Sequence, residues 1–205
     1  MSVLYLVRHG QSEWNRAGRI QGRTESPLTE LGRTQARALG RLLRAVLPGD
    51  ELDIVASPLS RALDTAVIIA LELGRSAAQV QQDGRLTDFD VGLLAGYAGW
   101  EAVALEHPEL ARLRLDDPLR FHPDGGESGA DVLARAAAFL AQRERCGRDA
   151  LVVCHGVITK FIRAARLGLT DGAIIALGED QDCVYRLEDM QVTELRADVS
   201  GECGD

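Results

Sequence analysis

The sequence has 205 residues and a mass of 22.2 kDa, with 46% hydrophobic and 26% charged residues, which is typical of one soluble globular domain. Acidic residues outnumber basic ones by 31 to 23, giving a net charge of −8. This balance argues against a nucleic-acid binder or an anionic-membrane binder, because both need a basic face. A small anionic substrate stays compatible if a few cations are concentrated in one cleft.

Composition also bounds the location and the cofactors. The first residues lack the basic and apolar regions of a signal peptide, and no apolar run approaches the ~18 residues of a membrane span. The four cysteines show no C-x-x-C spacing and are too sparse for a disulfide scaffold. No cluster of His, Asp or Glu has metal-ligand spacing. We therefore expect a cytoplasmic protein without metal or cofactor, whose oligomeric state is left open.

Hydrophobic periodicity predicts the elements of the first part of the chain. In order, it predicts a strand at residues 3–7, a helix at 28–47, a strand at 53–56, a helix at 59–73 and a strand at 78–82. The first two strands are short, largely apolar runs, as expected of buried strands. Ser57 followed by Pro58 predicts the start of the second helix, with Ser57 as its N-cap. Pro48 and Gly49 predict the end of the first.

The second part of the chain begins with an irregular stretch. Residues 84–126 mix glycine, proline and four of the nine aromatic residues without one sustained period, so we interpret about 84–127 as a short-helix insertion over a cleft. A capping box at Ser128–Asp131 then predicts a helix. Further elements are predicted as a strand at 150–154, a helix at 157–167 and edge strands near 182–187 and 191–195. This alternation predicts a single α/β domain over 1–205, a three-layer sandwich with helices on both faces of a mostly parallel sheet that has an antiparallel edge strand.

Three predicted strand-to-helix junctions carry arginines and histidines. They are Arg8-His9-Gly10 after the first strand, Ser57-Pro58-x-x-Arg61 after the second and His155-Gly156 after the late strand. In a parallel sheet these junctions share the carboxyl edge, where α/β proteins bind ligands and helix N-termini attract phosphate. Taken alone, each residue is more often explained by a structural or solvent-exposed role. Together they predict a cationic pocket for a phosphate group.

Six sequence blocks follow one another along residues 3 to about 165. They are Leu6-Val7-Arg8-His9-Gly10-Gln11-Ser12-Glu13-Trp14-Asn15, Gly18-Arg19-Ile20-Gln21-Gly22, Ser26-Pro27-Leu28-Thr29-x-x-Gly32, Ser57-Pro58-Leu59-x-Arg61-Ala62-x-x-Thr65-Ala66, Gly125-Gly126-Glu127-Ser128 and Val152-Val153-Cys154-His155-Gly156. This ordered set resembles the signature of the histidine phosphatase superfamily, in its phosphoglycerate-mutase-like branch.

The resemblance implies roles for the pocket residues. It places the nucleophile at His9, which would form a phosphohistidine and so divide one difficult transfer into two steps. Arg8, Arg61 and His155 match the family's phosphate clamp, which neutralises charge on the transferred phosphoryl group. Further positions around the phosphate are matched by Asn15, Gln21, Gly22 and Gly156.

One block departs from the family's pattern. The general acid is usually a glutamate in L-x-E-x-x-x-G, whereas the corresponding segment here is Leu86-Thr87-Asp88-Phe89-Asp90-Val91-Gly92. Asp88 keeps the carboxylic chemistry on a side chain one methylene shorter, and we favour it as the acid. Asp90, two residues later, is its competitor. Loss of general acid catalysis would lower activity on poor leaving groups by ~10²–10⁴-fold.

Other hydrolase chemistries fit the sequence less well. Cys154 invites a cysteine-phosphatase interpretation, but C-x5-R requires arginine where Lys160 stands. The sequence contains no G-x-S-x-G elbow, Walker loop or H-E-x-x-H motif. We therefore predict a metal-independent phosphatase that hydrolyses small phosphate monoesters through phosphohistidine.

Two alternatives remain. A phosphoglycerate-mutase-type transferase is disfavoured because the E-R-x-Y-G block and the longer insertion of the family's cofactor-dependent mutases are absent. A catalytically weak phospho-ligand sensor is kept open by the change from glutamate to aspartate at the acid.

The insertion is expected to line the substrate's side of the cleft. Five residues favour a partly apolar wall, namely Leu93, Leu94, Tyr97, Trp100 and Phe121. Packing within the insertion explains the same five residues equally well.

Overall fold

The strands form one mixed sheet in this computed structural model, which describes residues 2–47, 52–170 and 172–199. They are β1 (Leu4–Arg8), β2 (Asp53–Ala56), β3 (Val80–Gln82), β4 (Ala150–Cys154), β5 (Cys183–Glu188) and β6 (Gln191–Arg196). Their order across the sheet is β3-β2-β4-β1-β5-β6. The first four pair in parallel, whereas β5 pairs antiparallel with both β1 and β6.

The parallel centre of the sheet brings three strand ends together. Arg8, the last residue of β1, lies opposite Cys154, the last residue of β4. The N–H of His9 continues this ladder by donating to the carbonyl of Cys154 at 2.9 Å. The N–H of Ser57, just after β2, donates to the carbonyl of Val153 at 2.9 Å. The chain therefore leaves β1, β2 and β4 side by side at one edge of the sheet.

Helices cover both faces of the sheet. They are α1 (Glu13–Arg16), α2 (Glu30–Val46), α3 (Ser60–Glu72), α4 (Gly99–Glu106), α5 (Pro108–Asp116), α6 (Gly129–Cys146), α7 (Gly156–Leu167) and α8 (Gly172–Ile175). Tyr5 and Val7 pack in one core cluster with α2 and α3, while Leu4 and Leu6 pack in another with α6 and α7. Alternate strand residues point to opposite faces, so β1 serves both clusters. The predicted three-layer α/β sandwich is confirmed.

The predicted start of the second long helix is wrong. Ser57 is not the N-cap, because α3 begins at Ser60 with Leu59 as its N-cap and no side-chain capping bond. The Ser57 hydroxyl instead lies 2.9 Å from Nε2 of His155 and accepts from the N–H of Leu59 at 3.3 Å. The N–H of Ser60 donates to the Glu25 carboxylate at 3.1 Å, so a side chain distant in sequence takes over the capping role.

Other boundaries differ by smaller amounts. The third predicted strand is confined to Val80–Gln82, because Ser76 caps a 3-10 helix over Ala77–Gln79. Of the two strands predicted at the edge, β5 lies inside the sheet and β6 forms the edge. The predicted helix stop at Pro48 and Gly49 falls outside the described residues. Within the described ranges, no helix is long and apolar enough to span a membrane.

The insertion predicted at about 84–127 contains α4, α5 and two short 3-10 helices, Gly84–Leu86 and Gly92–Leu94. Its side chains Leu94, Val103 and Phe121 are buried in the core cluster that α6 and α7 share. This packing holds the insertion against the core on the α6 and α7 side of the sheet.

Candidate active site

A cavity of about 350 Å³ opens at the carboxyl edge of β1 and β4. Seven of the nine predicted site residues line it, namely Arg8, His9, Asn15, Gln21, Gly22, Asp88 and Gly156. The other two, Arg61 and His155, are fully buried and reach the lining residues through the contacts described below. The fold thus brings all nine residues to one place from five separate parts of the chain.

The ring of His9 is held in one tautomer. Its Nδ1 lies 2.7 Å from the carbonyl of Gly10, and Nε of Arg61 donates to its Nε2 at 3.2 Å. Because a guanidinium only donates, Nε2 is the accepting nitrogen and the proton is assigned to Nδ1. Burial, aided by His155, Arg61 and Arg8, lowers the pKa of His9 well below its usual value. His9 is therefore neutral at pH 7, with a lone pair on Nε2.

Two backbone carbonyl groups fix the orientation of the buried guanidinium of Arg61. Its Nη1 donates to the carbonyl of Thr24 at 2.9 Å and its Nη2 to that of Gly22 at 2.7 Å. Nη2 also lies 3.2 Å from Oδ2 of Asp88. Burial lowers the pKa of Arg61, and the Asp88 carboxylate opposes this shift. Gly22 has φ +54°, and a Cβ there would come within 2.5 Å of the Val91 side chain, so the close approach requires glycine.

His155 and Arg8 each carry a buried polar atom without a hydrogen-bond partner among the described residues, Nδ1 and Nε respectively. Nε2 of His155 is 2.9 Å from the Ser57 hydroxyl, and Nη1 of Arg8 donates to the Glu179 carbonyl at 2.8 Å. Burial lowers the pKa of His155 well below its usual value. An unsatisfied buried polar atom is costly, so this pair fits the oxygen atoms of a bound phosphate.

Asp88 faces the buried side chains of Arg61 and His155. Its Oδ2 lies 3.2 Å from Nη2 of Arg61 and 3.6 Å from Nδ1 of His155, and its Oδ1 accepts from the N–H of Phe89 at 2.9 Å. Burial raises the pKa of Asp88, an effect that Arg61 opposes. A carboxyl group with a raised pKa holds its proton to higher pH, which suits a general acid.

Asp90 lies apart from this clamp. Its Oδ1 accepts from the N–H of Gly92 at 3.1 Å and its Oδ2 pairs with Nη1 of Arg23 at 3.3 Å. Asp90 does not line the cavity, whereas Asp88 does.

Ser12 orients the side chains of Asn15 and Gln21, both of which line the cavity. Ser12 caps α1, its N–H donates to Oδ1 of Asn15 at 3.2 Å, and its hydroxyl donates to Oε1 of Gln21 at 3.0 Å. Oδ1 of Asn15 also accepts from Nε2 of Gln181 at 3.1 Å. Because Oδ1 of Asn15 is occupied twice, its amide presents Nδ2–H groups for an anion.

The cysteine-phosphatase alternative does not fit this geometry. Cys154 is fully buried, and burial raises the pKa of its thiol to about 12. A thiol at such a pKa is not a nucleophile near pH 7. Lys160, which stands where C-x5-R needs arginine, pairs with Oε1 of Glu179 at 3.4 Å.

The family is settled by comparison with known proteins. The model of the histidine phosphatase superfamily (branch 1) matches residues 4–192. The chain belongs to the histidine phosphatase superfamily. The predicted family, the α/β fold and phosphate monoester hydrolysis through phosphohistidine are thereby confirmed.

Individual relatives include phosphatases and mutases. A glucosyl-3-phosphoglycerate phosphatase of Mycolicibacterium vanbaalenii is 37% identical over 81% of this chain and 74% of its own length. A 2,3-bisphosphoglycerate-dependent phosphoglycerate mutase of Methylobacterium sp. is 35% identical over 91% of both chains. The solved structure of a mycobacterial glucosyl-3-phosphoglycerate phosphatase in complex with VO3 superposes with a TM-score of 0.79 and 31% identity, covering 97% of this chain and 98% of that one.

The expected apolar wall of this histidine phosphatase is only partly formed by the five residues named from the sequence. Trp100 and Phe121 line the cavity, with ring centroids 6.0 Å apart. Leu94 is fully buried in the core, Leu93 is exposed, and Tyr97 lies against His107 with its hydroxyl 3.1 Å from Nε2. None of these last three lines the cavity, and packing explains Leu94 and Tyr97 better than substrate contact does.

Several cavity residues were not predicted from the sequence. Charged examples are Arg19, Arg114, Lys160 and Glu179. Arg114 stacks on Trp100, with its guanidinium carbon 4.0 Å from the ring centroid, and burial lowers its pKa. Arg114, Lys160 and Glu179 lie outside the six sequence blocks, so only their long-range contacts could have identified them. Arg19 lies in the Gly18–Gly22 block, but the resemblance gave phosphate roles only to its neighbours Gln21 and Gly22. Among the residues that the structure describes, no group of three His, Cys, Asp or Glu could hold a metal ion.

Proposed function

We propose that this histidine phosphatase hydrolyses small phosphate monoesters with His9 as nucleophile and Asp88 as general acid. The observation that carries the proposal is the His9 ring, whose Nδ1–H is held by the Gly10 carbonyl while Nε2 faces Arg61 at 3.2 Å. A cavity of about 350 Å³ and a net charge of −8 favour a small molecule over a nucleic acid.

The first step transfers the phosphoryl group to the protein. The Nε2 lone pair of His9 gives up the hydrogen bond that it accepts from Nε of Arg61 and forms a bond to phosphorus, while the bond from phosphorus to the ester oxygen breaks. Asp88 gives its proton to that leaving oxygen, which is why its raised pKa matters. Arg8, Arg61 and His155 donate to the phosphoryl oxygens and stabilise their negative charge.

The second step releases phosphate. A water molecule attacks phosphorus, the bond from phosphorus to Nε2 breaks, and the Asp88 carboxylate takes the proton of the water. His9 returns to its neutral form and Asp88 to its protonated form, so the cycle balances without another reactant. We assign the remaining phosphate contacts to the positions around the clamp, Asn15, Gln21, Gly22 and Gly156.

A second candidate function is supported by the mutase relative, which is 35% identical. A mutase and a phosphatase of this family share the phosphohistidine and differ in its fate. In a phosphatase water accepts the phosphoryl group, whereas in a mutase a bound hydroxyl acceptor does.

One experiment tests the proposal against both alternatives. The purified protein is incubated with p-nitrophenyl phosphate and with a panel of small phosphate monoesters, with and without phosphoglycerate as acceptor, and the alcohol and inorganic phosphate are both measured. We expect equal amounts of alcohol and inorganic phosphate, and no turnover in His9→Ala. Transfer to the acceptor would favour the mutase, and tight phosphate binding without turnover would favour the sensor.

A further inference from the structure

The Gly125-Gly126-Glu127-Ser128 block has no part in the mechanism described so far, and Glu127 does not line the cavity. Its carboxylate is bound by both arms of one guanidinium. Nη2 of Arg135 lies 2.6 Å from Oε1 of Glu127, and Nε lies 3.2 Å from Oε2. The two side chains are only 15% and 14% exposed. A bidentate pair with so little solvent around it fixes the guanidinium in position and orientation.

The remaining donors of Arg135 all go to the backbone of the segment that carries Asp88. Nη1 donates to the carbonyls of Arg85 and Thr87 at 2.6 and 2.7 Å, and Nη2 donates to the carbonyl of Asp88 at 3.2 Å. One side chain on α6 therefore holds three carbonyl groups of a stretch that forms no sheet ladder there.

Glu127 holds the same segment from the other end. Its Oε1 accepts from the N–H of Asp90 at 3.0 Å. Arg23 closes the network, since its Nε donates to the carbonyl of Asp88 at 3.3 Å and its Nη2 to Oε2 of Glu127 at 3.1 Å. Asp88 is thus held on both sides through its backbone, while its carboxylate contacts Arg61 and the N–H of Phe89.

The short side chain of Asp88 makes this support necessary. Aspartate has one rotatable bond fewer than glutamate between its backbone and its carboxyl carbon, so the position of its oxygens follows the backbone closely. A shift of about 1 Å at a reacting group costs ~10²-fold in rate. A catalytic group therefore needs a rigid supporting set of hydrogen bonds.

We propose that Arg135, locked by Glu127, is a positioning residue that holds the Asp88 carboxylate at the leaving oxygen. The proposal rests on the assignment of Asp88 as general acid above. Arg135 does not line the cavity, so it acts through the backbone of Asp88 and does not touch the substrate.

The test is the variant Arg135→Lys, which removes the bidentate guanidinium but keeps the positive charge. We expect kcat on an alkyl phosphate to fall about 10–100-fold, because leaving-group protonation is impaired. On p-nitrophenyl phosphate, whose leaving group needs no proton, kcat should stay within about threefold. The dissociation constant of vanadate should stay within about twofold, because the phosphate clamp is intact. The matched control is Arg112→Lys, at an exposed position of α5, which should change neither rate.

A double variant separates positioning from general damage. In an Asp88→Asn background, Arg135→Lys should lower the alkyl phosphate rate by less than about twofold, because residues that act as one unit are not additive. An equal loss on both substrates, or a full loss in the Asp88→Asn background, would overturn the positioning role. If Asp88→Asn lowers the alkyl phosphate rate no more than the p-nitrophenyl phosphate rate, Asp88 is not the general acid, and the positioning role of Arg135 fails with it.

Glu127→Gln supplies a second variant if Arg135→Lys does not fold. The amide keeps an acceptor for the N–H of Asp90 but loses the charge that locks Arg135. We expect a loss of about 3–30-fold on the alkyl phosphate with little change on p-nitrophenyl phosphate. An unchanged alkyl phosphate rate would contradict the proposal.

Discussion

Replacing Asp88 by asparagine removes the proton that the leaving oxygen needs and leaves the local structure in place. The amide keeps an oxygen that can accept from the N–H of Phe89, a bond of 2.9 Å in the native chain. General acid catalysis contributes ~10²–10⁴-fold, which corresponds to ~3–5 kcal/mol of activation free energy. We expect a loss of this size for alkyl phosphates, and a loss below about tenfold for p-nitrophenyl phosphate, whose leaving group departs as an anion.

Whereas the rate should fall in Asp88→Asn, the affinity of this variant for vanadate should not. The Asp88 carboxylate lies 3.2 Å from Nη2 of Arg61 and competes with a phosphate dianion for that cation. Asp88→Asn should therefore bind vanadate at least as tightly as the native chain. The native rate on alkyl phosphates should fall as pH rises through the raised pKa of Asp88, since the acid must be protonated. This alkaline limb should disappear in Asp88→Asn.

The assay is steady-state kinetics on phosphate monoesters that span leaving-group pKa values. Asp90→Asn is the control, because the Asp90 carboxylate pairs with Arg23 and caps the turn at Gly92. It should show no dependence on leaving-group pKa, and Asp88→Glu should show a modest loss. A steep dependence in Asp90→Asn with none in Asp88→Asn would refute the assignment and exchange the two roles.

Three further predictions follow from the same site. Exhaustive chelation should leave the rate unchanged, whereas a dead enzyme rescued by added divalent metal would contradict metal independence. Phosphate and vanadate should inhibit competitively. Arg61→Ala should raise the inhibition constant of each about 10–100-fold, which corresponds to the loss of a charged hydrogen bond. Inhibition that is insensitive to this change would indicate another site. Because the pKa values of His9 and His155 are lowered in the folded chain, the unfolded chain binds more protons below pH ~6.5, and the free energy of unfolding falls on acidification. The two histidines together give a slope of up to ~3 kcal/mol per pH unit, which the raised pKa of Asp88 reduces. Urea unfolding at several pH values should show about half this slope in His155→Asn, and equal slopes in the variant and the native chain would refute the shifts.

The elements that the sequence predicted well are those with local signals. The central strands are continuous apolar runs, and Ser128 forms the predicted capping box with Asp131 at the start of α6. Ser57 misled the prediction because its hydroxyl serves His155, which is 98 positions away in sequence. Local propensity cannot register a bond of that kind.

The site residues also divide into those with a local sequence signal and those that depend on long-range contacts. His9 and Arg61 stand in motifs next to predicted strands, so the sequence located them and the fold brings them within 3.2 Å. Arg135 and Glu179 act through contacts with segments far along the chain, and no spacing rule identifies such contacts. Asp88 and Asp90 could not be separated from the sequence, because two residues of irregular backbone decide which carboxylate faces the clamp.

The central claim is that the phosphoryl group passes through His9, and trapping that intermediate tests it most directly. Rapid quenching with a ³²P-labelled monoester should yield an acid-labile, base-stable phosphoprotein whose label maps to His9. The label and turnover should vanish in His9→Ala and weaken in His155→Ala. Cys154, with its pKa raised to about 12, should carry no label. A label that persists in His9→Ala, or that maps to Cys154, would contradict the account.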